Sequence, residues 1–188
     1  MRISPKDLVL MAIFAAFVAA LGLIPKITLP LGVPITAQTL GVMLAGIVLG
    51  PKRAFGALAI FTLLVLLGLP LLAGGRGGLG LLAGPSGGFL LGFAPAAAAV
   101  GWFSTSFGGM TSTGGFAQGV RVFLASVLGG IVVLYGFGIP YWVMMTDNAV
   151  SAVLATAVIF LPGDLLKAVL CAVIASALIR AYPPLFED

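Results

Sequence analysis

Two short stretches gather the residue types that chemistry needs. Residues 73–93 read AGGRGGLGLLAGPSGGFLLGF, with Gly75, Gly77 and Gly80 at the G-x-G-x-x-G spacing of a dinucleotide-binding turn. Gly84-Pro85-Ser86-Gly87 follows at the G-x-S-G spacing of an intramembrane serine protease. Residues 161–170 read LPGDLLKAVL, where Asp164 and Lys167 are three apart and share one face of any helix that holds them. The dinucleotide reading fails on context. That turn needs a strand before it, a helix after it and an acidic residue about 20 positions on. Here an apolar run ending at Pro70 precedes the glycines, and no carboxylate lies between Asp7 and Asp147. No G-x-x-x-x-G-K-[ST] occurs, which excludes ATP hydrolysis by the P-loop route. A serine nucleophile needs a base, and the chain has no histidine. What remains of the enzyme reading is an intramembrane enzyme built on Ser86 or Asp164, with Lys167 as the base for the serine.

A binding role fits the same residues with fewer missing parts. Ten glycines fall between Gly68 and Gly92, and close helix packing and tight turns account for many of them. Neither accounts for Arg76 in their midst. Backbone N–H groups in such a loop form a concavity for an anion, and with Arg76 they suit a small carboxylate. Asp164 and Lys167 are either a mutual salt bridge near the membrane surface or the polar wall of a ligand pocket. On the first apolar run, Ala12, Ala16 and Ala20 recur every four residues with Ala15 and Ala19 on the flank. Such a strip packs another helix closely, within this chain or on a partner. Cys171 reads as a small packing residue, Asp147 and Asn148 as solvated loop, and Glu187 and Asp188 as a frayed tail. With one cysteine and no histidine, a multi-residue metal site is not expected.

The elements that position these residues must work in lipid. The 188 residues are 61% hydrophobic and only 7% charged, against about 25% charged in soluble domains. The fold class expected is an all-α integral membrane protein, one domain over 1–188, with six transmembrane helices. Breakers place these helices at residues 5–24, 36–49, 53–69, 87–107, 116–137 and from 163 to just before Pro183-Pro184. An extended Pro-rich linker (25–36) and an uncharged GGMTSTGG connector (108–115) fall between them. The apolar stretch between Pro140 and Pro162 is expected to be partly helical and folded back at the surface. The first run resembles a signal peptide in isolation, yet every later run is equally apolar, so it reads as the first span. A cytoplasmic N-terminus puts Arg2, Lys6, Lys52, Arg53, Arg121 and Arg180 at cytoplasmic ends and leaves Lys26, Arg76 and Lys167 outside. An even number of spans returns the C-terminus to the cytoplasm. The basic residues are scattered and form no stripe for nucleic acid.

Three blocks then carry a resemblance: VPITAQTLGVMLAGIVLGP (33–51), GLPLLAGGRGGLGLLAGPSGGFLLGF (68–93) and LPGDLLK (161–167). In content and spacing they resemble the biotin-specific substrate-binding S components of energy-coupling factor transporters, over nearly the whole chain. Ser86 stands where that family usually has threonine, and Leu71-Leu72 where Val-Phe is commoner. The resemblance implies a multi-pass protein of a prokaryotic plasma membrane, with a vitamin pocket near its outer face and no catalytic chemistry. It implies a membrane coupling subunit docked on Ala12, Ala15, Ala16, Ala19 and Ala20, and two separate ATPase subunits. Biotin is then the transported ligand, and no cofactor is expected. Asp164, Lys167 and Gln38 would hold the urea-like ring and Ser86 would supply a hydroxyl. Phe89, Tyr141 and Leu79 would wall the apolar part. Arg76 or Lys167 would meet the carboxylate. An S component for another small carboxylated vitamin is the nearest alternative.

Overall fold

The computed structural model describes residues 4–28, 34–111 and 115–183. Arg2, linker residues 29–33, connector residues 112–114 and the tail with Pro184, Glu187 and Asp188 lie outside the described residues. Helix α1 spans Pro5–Leu21 and starts on a capping box: the Asp7 amide donates to the Ser4 hydroxyl (3.2 Å) and the Ser4 amide to the Asp7 carboxylate (2.8 Å). Asp7 also accepts from Arg53 Nε at 2.9 Å, which pins the start of α1 to α2 (Gln38–Leu66). Two-residue strands, β1 (Ile27–Thr28) and β2 (Pro34–Ile35), pair antiparallel and lead into α2.

Helix α2, Gln38–Leu66, is one hydrogen-bonded element of 29 residues, roughly 43 Å long if it were straight. It is not straight. The Gln38 side chain at its start bonds the Leu71 carbonyl just past its end at 3.1 Å, so the helix folds back on itself. The turn is Gly50, whose φ of 70° and ψ of 174° lie outside the helical region, followed by Pro51. Gly101 seats against this turn; a Cβ there would stand 2.6 Å from the Pro51 nitrogen. The two arms, 38–49 and 51–66, match the expected second and third helices.

Helix α3 is Gly87–Ser106, α4 is Gly115–Met145 and α5 is Val150–Ala181. The expectation for the region between Pro140 and Pro162 needs correcting. Helix α4 does not stop at Phe137 but continues through Pro140 to Met145, and α5 begins at Val150, not at Gly163, and runs through Pro162. Both prolines are exposed on the helix surface. A proline removes one N–H, and in a packed apolar helix neighbouring turns adjust around that loss, so the breaker signal overstated the break. Within α4 a wider π turn at Leu128–Val133 precedes Tyr135.

The core is shared. One cluster joins α1, α2, α3 and α4 around Val18, Phe61, Phe93 and Leu134; a second joins α2 to α5 around Met43, Val100, Val122 and Cys171. Outward faces carry Leu63, Val132, Val158 and Val173, as lipid requires. Helices α2 to α5 are long and apolar enough to cross a membrane; α1, at 17 residues, is slightly short of the usual 20. The architecture is that of an all-α membrane protein.

Candidate functional site

Three helices meet at Asp164, which is buried at 6% exposure. Its Oδ1 accepts from Lys167 Nζ (2.8 Å) and from the Thr39 hydroxyl (3.2 Å), and its Oδ2 accepts from the Tyr135 hydroxyl (2.7 Å). Lys167 Nζ donates a second bond to Thr39 Oγ1 at 2.9 Å. Thr39 comes from α2, Tyr135 from α4 and the ion pair from one turn of α5. A buried carboxylate is tolerated only with a counter-charge and hydrogen-bond donors, and this corner supplies both.

Facing it is the loop from Leu67 to Ser86. Leu72 and Arg76 exchange backbone bonds at 3.1 and 3.2 Å around a turn in which Gly74 and Gly75 take φ values of 81° and 69°. Those values belong to the left-handed region, which explains glycine at both positions. The turn aims Arg76 inward. Its Nε donates to the Ala73 carbonyl at 3.3 Å, and Nη1 reaches the Ser86 hydroxyl at 3.5 Å. No carboxylate among the described residues pairs with it. Burial lowers the guanidinium pKa from its ordinary value, yet arginine remains charged at any ordinary pH.

A cavity joins the two. Its volume is about 70 Å³, and part of it opens at the mouth. Its polar lining is Thr36, Gln38, Thr39, Arg76, Ser86, Tyr135, Asp164 and Lys167. Phe89, Leu90, Phe93, Leu134 and Phe160 supply the apolar walls, with Phe89 edge-on to Tyr135 at 6.0 Å and to the fully buried Trp142 at 6.5 Å. Asp164 cancels one of the two lining cations, so the chamber keeps one net positive charge.

Of the residues singled out by sequence, Gln38, Arg76, Ser86, Phe89, Asp164 and Lys167 all border this one cavity. Leu79 and Tyr141 do not. Leu79 opens a 3-10 turn (Leu79–Ala83) with its side chain 69% exposed, and Tyr141 spends its hydroxyl on the Leu82 carbonyl at 2.6 Å, tying the loop to α4. Gln38 borders the cavity, but its amide is engaged with Val18, Leu71 and Ala73. Ser86 has Arg76 as its partner while Lys167 is held by Asp164 and Thr39, so a Ser86–Lys167 dyad is not formed. The alanines of α1 divide: Ala12, Ala16 and Ala20 are exposed beside Ile13 and Phe17, whereas Ala15 is buried and Ala19 half-buried. Three residues on from Ala12 the helix has turned Ala15 to the inner stripe of Met11 and Val18.

Thr39 and Tyr135 went unnoticed in the sequence. Thr39 follows Thr36 and Gln38 at the start of α2 and Tyr135 is a single hydroxyl in an apolar run, and only the tertiary fold brings them to Asp164.

The model of the BioY family matches residues 1–184. The chain belongs to the BioY family. It is 46% identical to the biotin transporter BioY of Rhizobium etli over 181 residues, covering 96% of each chain. It is 41% identical to the biotin transporter BioY of Rhodobacter capsulatus over 187 residues, covering 95% of each. Among solved structures it superposes on the S-component for biotin from an ECF-type ABC transporter with a TM-score of 0.86 and 30% identity, covering 97% of this chain and 96% of the other. The fold is therefore that of an S component, a substrate-binding part of a transporter and not an enzyme.

Proposed function

We propose that this chain captures biotin at the outer face of a prokaryotic plasma membrane as the S component of an energy-coupling factor transporter. The observation that carries this reading is the charge layout of the cavity: a neutralised polar corner on one side, one uncompensated cation on the other, and aromatic walls between. Biotin has the matching layout, with a urea ring, an apolar sulfur ring and chain, and a carboxylate. Asp164 and Lys167, steadied by Thr39 and Tyr135, face the ureido group. Arg76, beside the Ser86 hydroxyl that it contacts at 3.5 Å, takes the carboxylate, because the ammonium of Lys167 is already committed to Asp164 and Thr39. Phe89 packs against the apolar part.

In this reading α1, the two arms of α2, α3, α4 and α5 make six membrane spans with both termini in the cytoplasm. The ion pair Asp7–Arg53 marks the cytoplasmic end and the glycine-rich loop the outer mouth. Ala12, Ala16 and Ala20 present a flat strip to a membrane coupling subunit, with Ala15 and Ala19 backing it from within, and two ATPase subunits supply the energy. Replacing Ala16 by Trp should abolish uptake and complex formation while biotin binding survives.

Equilibrium titration of the purified subunit tests the substrate. Saturable one-to-one binding is expected for biotin, weaker binding for desthiobiotin, and much weaker binding for lipoate, which has a carboxylate and sulfur but no urea. Absence of binding at micromolar biotin would overturn the reading.

A further inference from the structure

The Gln38 side chain is 1% exposed, and its amide meets three backbone groups from two other parts of the chain. Nε2 donates to the Val18 carbonyl of α1 and to the Leu71 carbonyl of the loop, both at 3.1 Å, and Oε1 accepts from the Ala73 amide at 3.2 Å. Val18 lies in the last turn of α1, where carbonyls have no partner within the helix. The Ala73 amide takes no part in the Leu72–Arg76 pairing. One amide thus satisfies three groups that burial would otherwise make costly.

The approach is built to be close. A Cβ on Gly22 at the end of α1 would stand 2.5 Å from the Leu71 carbonyl oxygen and 3.0 Å from Gln38 Nε2. A Cβ on Gly41 would stand 2.8 Å from Val18, so α2 lies flush on α1 at the same level. On the cavity side the chain of bonds continues: Gln38 holds the Ala73 amide, and the Ala73 carbonyl holds Arg76 Nε at 3.3 Å. Val18 sits between Ala16 and Ala20, whose side chains are exposed on the outer surface of α1.

We propose that Gln38 is a positioning residue that joins α1 to the glycine-rich loop, so that displacement of α1 reaches Arg76 and frees the ligand. This rests on the biotin-binding reading for its ligand but not for the joint itself. With α1 in place, the three bonds hold the loop down and Arg76 over the cavity. When a partner moves the outer end of α1, the Val18 and Leu71 bonds break together and the Ala73–Arg76 turn loosens.

The test uses the full chain in lipid nanodiscs, with amide hydrogen exchange on the ligand-free protein and biotin dissociation rates measured in parallel. In the near-isosteric Gln38→Met, exchange at residues 22–24 and 72–76 should quicken about tenfold or more while α4 residues 118–127 stay unchanged. Biotin should leave about tenfold faster, as expected for lost hydrogen bonds with the fold kept. Gly22→Ala, which crowds the joint from α1, should do the same, and it carries the test alone if Gln38→Met does not fold. The double variant should be no faster than the faster single one. Unchanged loop exchange, a faster loop with unchanged dissociation, or additive effects would each overturn the proposal. Faster exchange in a protein whose wild type binds no biotin would leave the joint standing and remove the substrate reading.

Discussion

Around Asp164 the side-chain bonds run from 2.7 to 3.2 Å and come from three helices, whereas the bonds of Arg76 are 3.3 and 3.5 Å and stay within the loop and its junction with α3. The first wall is preassembled: its charges are paired, Asp164 accepts three hydrogen bonds with room at Oδ2 for another, and its side chains sit on packed helices. The second wall is provisional. Its cation lacks a counter-charge among the described residues, and its backbone depends on glycines and on side chains reaching from elsewhere, Gln38 and Tyr141. A site that must hold a ligand and later release it gains from this asymmetry. In the proposed reading the rigid wall would supply geometry for recognising the ring at little ordering cost, and the loop a charge that the ligand would neutralise on arrival.

Variants can break or sharpen this contrast. The largest effect is expected from Asp164→Asn, which leaves Lys167 buried without its counter-charge and should weaken biotin at least about 100-fold in a calorimetric titration. A loss under tenfold would mean that the helical corner is not the main determinant. Arg76→Gln should cost roughly 10- to 100-fold for biotin but little for biotin methyl ester, whereas Asp164→Asn should penalise both alike. Equal losses for acid and ester in Arg76→Gln would dissolve the distinction between the walls. Tyr141→Phe removes only the tie to Leu82 and should speed biotin dissociation about three- to fivefold in a chase experiment, with the association rate unchanged. Ser86→Ala should be the mildest, within about threefold of wild type at equilibrium, because a 3.5 Å contact to Arg76 contributes little.

The sequence already showed the provisional wall and half of the rigid one. Arg76 among glycines is a local anomaly, and Asp164 with Lys167 is a costly pair at helical spacing in an apolar run, so both are visible without a structure. The membrane setting follows from composition, and the turn at Gly50-Pro51 from two breakers in succession. Thr39 and Tyr135 are 96 residues apart in number and look like ordinary membrane-helix residues; only the return of α2 and the course of α4 bring them to one carboxylate. Pro140 and Pro162 misled for the opposite reason. A proline is a strong local signal, but each of these lies on an exposed helix face, and α4 and α5 run on through it. The engagement of Gln38 with backbone, in place of a ligand, is likewise a property of three segments meeting and of no one of them.

The most direct measurement is a structure of the subunit with biotin bound. The carboxylate should lie within hydrogen-bonding distance of Arg76 under a closed loop, and the ureido ring should contact Asp164 and Lys167. A reversed pose, with the carboxylate on Lys167 and the ring beneath the glycine-rich loop, or a ligand outside this chamber altogether, would contradict the division of labour between the two walls.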